Sequence, residues 1–151
     1  MTKSTPVVVR PLRASDKDQW AVLWTAYLAF YETTRPAELF DLYFDRLLGD
    51  DPQDFNGLVA ESDGTLIGLT HYLFHRHGWS EANTCYLQDL YADPDVRGQG
   101  VGRALIEAVY AAADAAGVPS VYWLTQDFNT QARKLYDRIG VKTAFIRYNR
   151  A

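Results

Sequence analysis

DVRGQGVGRAL, residues 95–105, packs three glycines into five positions, with an arginine on either side and a helix-like apolar pattern directly after it. Glycine opens a helix poorly, so its concentration here implies a backbone with another task. The preceding run CYLQDLYAD (85–93) reads as a strand stopped by Pro94. The stretch 99–116 reads as a helix with Val101, Leu105, Ala108 and Ala112 on one side. A strand, a glycine-rich turn and a helix together form a phosphate-binding design. The first helical amides lack intrahelical acceptors, the macrodipole adds about half a positive charge, and glycine admits an anion close to the backbone. Arg97 or Arg103 can add a charged fork. A nucleotide P-loop is excluded, because the chain has no Gly-Lys pair. The dinucleotide fingerprint GxGxxG also fails, with Arg103 and Leu105 standing where its third glycine would fall.

Outward from this turn, VVVRPL (7–12) is a short β-branched strand. Residues 14–32 carry apolar side chains at helical spacing to about Tyr31, with Ser15 or Asp16 as N-cap. Residues 35–50 repeat the pattern with Pro36 at the start and Gly49 near the end. Residues 56–76 form a hairpin folded at Asp63-Gly64. After the glycine-turn helix, Gly117 caps and Pro119 prevents continuation. SVYWLT (120–125) is a strand, NTQARKLYDRIG (129–140) a helix capped by Asn129, and VKTAFIRYN (141–149) a closing strand. The order β-α-α-β-β-β-α-β-α-β predicts a mixed α/β sheet covered by helices, in one domain spanning residues 1–151.

The totals agree. The 151 residues, 48% hydrophobic and 14% aromatic, suffice for a packed core and lie outside the disordered class. A net charge of −4 gives no basic field for nucleic acid or anionic membrane and suits cationic small molecules better. One cysteine, Cys85, precludes an internal disulfide, and no signal-like or membrane-spanning run is found, so a cytoplasmic protein is expected.

Arg97-Gly98-Gln99-Gly100-Val101-Gly102, between a strand and a helix, resembles motif A of the GNAT superfamily of N-acetyltransferases, and the likeness extends over nearly the whole chain. YLQD before the turn, Trp79 ahead of that strand and the Asn-x-x-Ala-x-x-x-Tyr helix at 129–136 resemble the branch holding diamine acetyltransferases and a fungal histone acetyltransferase. The resemblance implies a twisted, mostly antiparallel sheet of six to seven strands with about four helices, splayed at the two central strands. It implies coenzyme A as the ligand, held by Arg97, Gly98, Gln99, Gly100, Val101, Gly102 and Arg103 at the diphosphate. Leu90 and Ala92 would pair with the pantetheine arm, Asn129 would sit beside it, and Tyr136 would lie near the sulfur. The implied activity is transfer of acetyl from acetyl-CoA to a primary amine by direct attack. The acceptor would be a small amine, polyamine or amino-acid-like molecule, or alternatively a protein lysine. A non-catalytic acyl-CoA-binding regulator is a further alternative, and a homodimer is implied as well.

An alkylammonium of pKa ~10.4 is only about one part in 2,500 neutral at pH 7, so a route for its proton is useful. A tyrosine can assist departure of the thiolate. By periodicity Tyr136 is a core aromatic; the resemblance makes it the acid. Where the branch has an adjacent Glu-Asp pair, this chain has Gln88-Asp89, and Gln88 takes no proton. Asp89 remains to bind an ammonium or relay a proton through water, or else as a structural carboxylate. Glu32 is a candidate for a second substrate charge. His71, His75 and His77 share a face in a regular strand, but spacing of ~13 Å across four residues argues against one metal ion, and none is expected. A histidine facing the cleft is an alternative base. Trp20, Trp24, Tyr27 and Tyr31 recur at core spacing, and one or two could line an acceptor pocket. Cys85 is expected to be a small buried residue.

Overall fold

The computed structural model describes residues 6–96 and 99–151. The chain runs β1 (Val8–Pro11), α1 (Lys17–Phe30), α2 (Ala37–Leu48), β2 (Asn56–Ser62), β3 (Thr65–His75), β4 (Thr84–Ala92), α3 (Val101–Ala115), β5 (Val121–Tyr122) and α4 (Thr130–Ile139). The strands form one sheet in the order β1-β2-β3-β4-β5. The first three pairings are antiparallel and β4–β5 is parallel. The β2–β3 hairpin turns on Asp63 and Gly64, both at positive φ, 52° and 77°, as a two-residue turn of the twist-matched kind requires.

Helices α1 and α2 cover one face. Trp20, Leu23, Trp24, Tyr43, Phe44 and Leu47 pack there on Val59 and Leu69 of the sheet. Helix α3 covers the other through Ile106, Val109 and Ala113, which meet Tyr72, Cys85 and Leu87. Leu135, Tyr136 and Ile139 of α4 add a partly buried flank. Gly68 of β3 lets α3 approach the sheet: a Cβ there would stand 2.8 Å from Val101 Cγ1 and 3.0 Å from the Tyr91 carbonyl. Asp16 starts α1, but its carboxylate does not cap that helix. It accepts from the Arg13 amide at 2.8 Å and from the Arg10 guanidinium at 2.8 and 2.9 Å.

The strand count departs from the expected six to seven. Five strands are found among the described residues, and 141–149 is not one of them. A strand exists only where a neighbouring edge takes up its amides and carbonyls. Residues 141–149 have no such neighbour, and Val141, Phe145, Ile146 and Tyr148 are exposed. The expected strand at 120–125 also contracts to Val121–Tyr122, because β5 leaves β4 after two residue pairs.

Candidate active site

That early departure creates the site. Strands β4 and β5 pair only at Cys85–Val121 and Tyr86–Tyr122, so the sheet is splayed between its parallel strands and β4 runs on alone to Ala92 on that side. The space opens into a cleft of about 1320 Å³, lined among others by Tyr27, Tyr31, Tyr86, Gln88, Trp123 and Tyr136. Leu90 and Ala92 lie on this unaccompanied part of β4, their side chains packed towards Val101 and Leu105.

At the end of β4 stands the front of α3. Its N-cap is Gly100, in the left-handed conformation (φ 71°, ψ 25°), and no side chain caps the helix. The first internal bond runs from the Ala104 amide to the Gly100 carbonyl at 2.9 Å, so the amides of Val101, Gly102 and Arg103 have no acceptor within the helix. No acidic residue sits in that first turn, and Gln99 and Gly100 are exposed. These features fit the diphosphate of coenzyme A: donors without an intrahelical acceptor, an open approach and the positive end of the helix dipole. Arg103 is exposed and paired with Glu107 at 2.8 Å. Arg97 and Gly98 lie outside the described residues.

Asp89 is placed by a bulge. His71 pairs with Asp89 and Tyr72 with Leu87, so Gln88 is the extra residue on β4. Regular alternation would aim Asp89 with Cys85 and Leu87 at α3. The bulge instead turns it to the α1–α2 face and leaves Gln88 exposed in the cleft. There Asp89 is 5% exposed. One of its oxygens, Oδ2, meets the Tyr43 hydroxyl at 2.6 Å and His71 Nδ1 at 2.7 Å. The indole of Trp20 donates to His71 Nε2 at 3.0 Å. An indole N–H can only donate, so Nε2 is the bare nitrogen and Nδ1 carries the proton given to Asp89. Burial opposes the carboxylate's charge, but the bonds from His71 and Tyr43 outweigh it and hold Asp89 below its ordinary range. Sequence reasoning singled out His71 for its face and Trp20 for its helical spacing. It missed their joint hold on Asp89, and Tyr43 altogether, because an inserted strand residue leaves no periodic trace.

Tyr136 packs edge-on to Trp123, ring centroids 5.5 Å apart, and burial foremost pushes its phenol up to about 12. Asn129 stands at the start of α4 but makes no capping bond; its amide donates to Thr125 Oγ1 at 3.3 Å. Glu32 is exposed in the turn after α1, at φ 57°, and is not among the cleft-lining residues. His75 is half-buried and bonded to the Tyr122 hydroxyl at 2.7 Å. Cys85 is buried, its thiol pushed up to about 11, which leaves it inert as a nucleophile. No group of three His, Cys, Asp or Glu side chains among the described residues could hold a metal ion.

The acetyltransferase (GNAT) family model matches residues 20–141. The chain belongs to the GNAT acetyltransferase family. It is 36% identical over 145 residues to the D-amino-acid N-acetyltransferase HPA3 of Saccharomyces cerevisiae, covering 95% of this chain and 90% of that protein. It is 35% identical over 84 residues to the thialysine N-epsilon-acetyltransferase of Mus musculus, covering 55% of this chain and 49% of that one. In fold it matches the aminoglycoside N-acetyltransferase AAC(6')-Iy in complex with CoA, at a TM-score of 0.84 and 18% identity over 100% of this chain and 98% of the other. A GNAT acetyltransferase is an acyltransferase enzyme using acetyl-CoA, which agrees with the free amides at the front of α3.

Proposed function

We propose that the protein acetylates the primary amine of a small, amino-acid-like or polyamine acceptor by direct attack on acetyl-CoA, in the cytoplasm, as one domain. The observation that carries this is the continuity of three features: amides at residues 101–103 with no partner among the described residues, an unaccompanied β4 edge and an open gap between β4 and β5. In this reading the residues from Arg97 to Arg103 hold the diphosphate, Leu90 and Ala92 align the pantetheine arm, and Asn129 flanks it. Bound acetyl-CoA supplies the activated acyl group and a thiolate leaving group.

Tyr136 stays protonated throughout the working range and donates a hydrogen bond to the departing sulfur. Full proton transfer from a phenol at about 12 to a thiolate of ordinary pKa ~8.5 is uphill by roughly 5 kcal/mol, so stabilising developing charge is its main contribution. Asp89 is unsuited as terminal base. From an alkylammonium of ~10.4 to a carboxylate below ~3.9 the step is uphill by roughly 9 kcal/mol. Its task is to attract a cation, and the acceptor's proton leaves to water in the open cleft. Exposed apolar side chains along 141–148 suit burial against a second copy, which supports a homodimer.

The test is acetyl-CoA with a panel of amines that includes D-amino acids and thialysine, the acceptors named for the relatives, with release of free thiol followed. Turnover that Tyr136→Phe lowers at least tenfold in kcat, with coenzyme A binding intact, is expected. Tight coenzyme binding without turnover on a broad panel contradicts the proposal.

A further inference from the structure

Tyr122 occupies the last position at which β5 pairs with β4, so it stands where the gap between the two strands begins. Val121 and Trp123 on either side of it pack into the α3 cluster, and strand alternation turns Tyr122 to the opposite face. There its ring stacks on that of Tyr86, with centroids 4.8 Å apart and planes 18° from parallel. Both tyrosines line the cleft. The Tyr122 hydroxyl is held by His75, the last residue of β3, at 2.7 Å from Nε2. His75 Nδ1 lies 2.8 Å from the Arg76 carbonyl oxygen. A carbonyl only accepts, so Nδ1 carries a proton, Nε2 of the neutral ring is bare, and Tyr122 donates to it. The hydroxyl oxygen keeps its own accepting capacity for a donor in the cleft.

An attacking amine must shed a proton as its bond to the acyl carbon forms, and imidazole is the side chain suited to hold a proton near neutral pH. The chain has three histidines. His71 is enclosed by Trp20 and Asp89, neither of which lines the cleft. His77 Nδ1 accepts from the Trp79 amide at 3.1 Å on an exposed loop. Among the described residues, His75 alone of the three is bonded to a cleft-lining side chain. The ionisable groups around the pair are Tyr86 and Cys85 on β4, Arg147 and Asp89 beyond Tyr86, and Arg76 and His77 next in the chain. No carboxylate among the described residues bonds either member. Burial foremost raises the Tyr122 phenol, so it passes a proton through rather than standing as a phenolate.

We propose that Tyr122 and His75 form a relay that takes the proton of the attacking amine at the vertex of the β4–β5 gap. As the nitrogen bonds to the acyl carbon, its proton passes to the Tyr122 oxygen while the hydroxyl's own proton passes to His75 Nε2. Collapse of the tetrahedral adduct breaks the carbon–sulfur bond, and the thiolate leaves with the electron pair. The imidazolium keeps its Nδ1 proton on the Arg76 carbonyl. Once the amide product has gone, it returns the extra proton through Tyr122 to water in the emptied cleft, and the pair ends as it began. Tyr122 is the catalytic residue, because it touches the amine; His75 acts through it. The relay rests on the amine-acetylating reading above and supplies the step between the nitrogen and water.

The test uses the coenzyme-loaded protein and an amine it acetylates, in single turnover, where product release does not contribute. His75→Gln keeps an acceptor for the Tyr122 hydroxyl but takes no proton, and Tyr122→Phe keeps the stacked ring. Each is expected to lower the acetylation rate about tenfold or more with coenzyme A affinity unchanged. Added imidazole should restore part of the rate of His75→Ala and none of that of Tyr122→Phe. In mixtures of light and heavy water the wild-type rate should curve with deuterium fraction, as two protons in flight require, and become linear in His75→Gln. A linear wild-type dependence overturns the relay, and this measurement needs no variant to fold. A wild-type rate in His75→Gln overturns it as well, since that is the outcome if His75 merely holds the tyrosine in place. Either result in a protein that acetylates amines removes the relay alone. Failure to acetylate any amine removes the acetyltransferase reading and the relay with it.

Discussion

Trp20 and Trp24 stack in the α1 core with ring centroids 5.4 Å apart and planes 18° from parallel. Both are buried, at 0% and 5% exposure, yet their indole N–H groups differ. That of Trp20 donates to His71, whereas that of Trp24 is buried without an acceptor among the described residues. Replacing either by phenylalanine removes the same atoms, so the cavity penalties largely cancel between the two variants. What remains is the hydrogen bond. Trp20→Phe leaves His71 Nε2 buried and unpaired, costing about 1–3 kcal/mol; Trp24→Phe deletes a donor that was already unpaired and regains part of its desolvation. Trp20→Phe is thus expected to be the less stable variant by about 2 kcal/mol or more. That corresponds to a Tm lower by roughly 4–8 °C in a chain of this size. Urea unfolding followed by far-UV circular dichroism measures it, with equal m-values confirming a common unfolded state. Equal stabilities within about 0.5 kcal/mol, or a costlier Trp24→Phe, would refute the assignment of the Trp20–His71 bond and with it the fixed tautomer of His71.

Other expectations follow from the same contacts. Gly68→Ala forces a methyl against Val101 and the immovable Tyr91 carbonyl. It should cost about 1–3 kcal/mol and, by tilting the front of α3, raise KM for acetyl-CoA more than it lowers kcat. Gly100→Ala meets no atom within 4 Å but is strained by its φ of 71°, with a penalty of about 1–2 kcal/mol by chemical denaturation. Gly102→Ala meets only Leu135 at 3.4 Å and gains helix propensity, so it should be neutral or stabilising. Asp89 ionises more readily in the folded than in the unfolded chain. Its contribution is therefore present above the unfolded value of ~3.9 and is lost as pH falls through the lower native one. Tyr43→Phe removes one of the bonds that depress it, so the acid-unfolding midpoint should move to higher pH.

Much of the fold is legible because it rests on local chemistry. The Asp63-Gly64 hairpin and the Gly117 cap each require a backbone conformation that few other residues adopt, and each is found. The rest depends on pairing between distant segments. The alternation in VKTAFIRYN suggests a strand, but nothing local supplies the edge that would make it one. The aim of Asp89 is set by a one-residue insertion opposite Tyr72 and His71, so counting along β4 gives the wrong face. For the same reason Gln88 and Asp89, adjacent in sequence, do different things: one borders the cleft and the other is buried.

The central claim is that the open front of α3 and the gap between β4 and β5 form one continuous seat for acetyl-CoA. A crystal structure of the complex with coenzyme A tests it most directly. The diphosphate oxygens should lie within ~2.7–3.2 Å of the amides of residues 101–103, with the pantetheine arm along β4 and its sulfur beside Tyr136. A diphosphate bound elsewhere, or an arm outside the gap, would contradict the account.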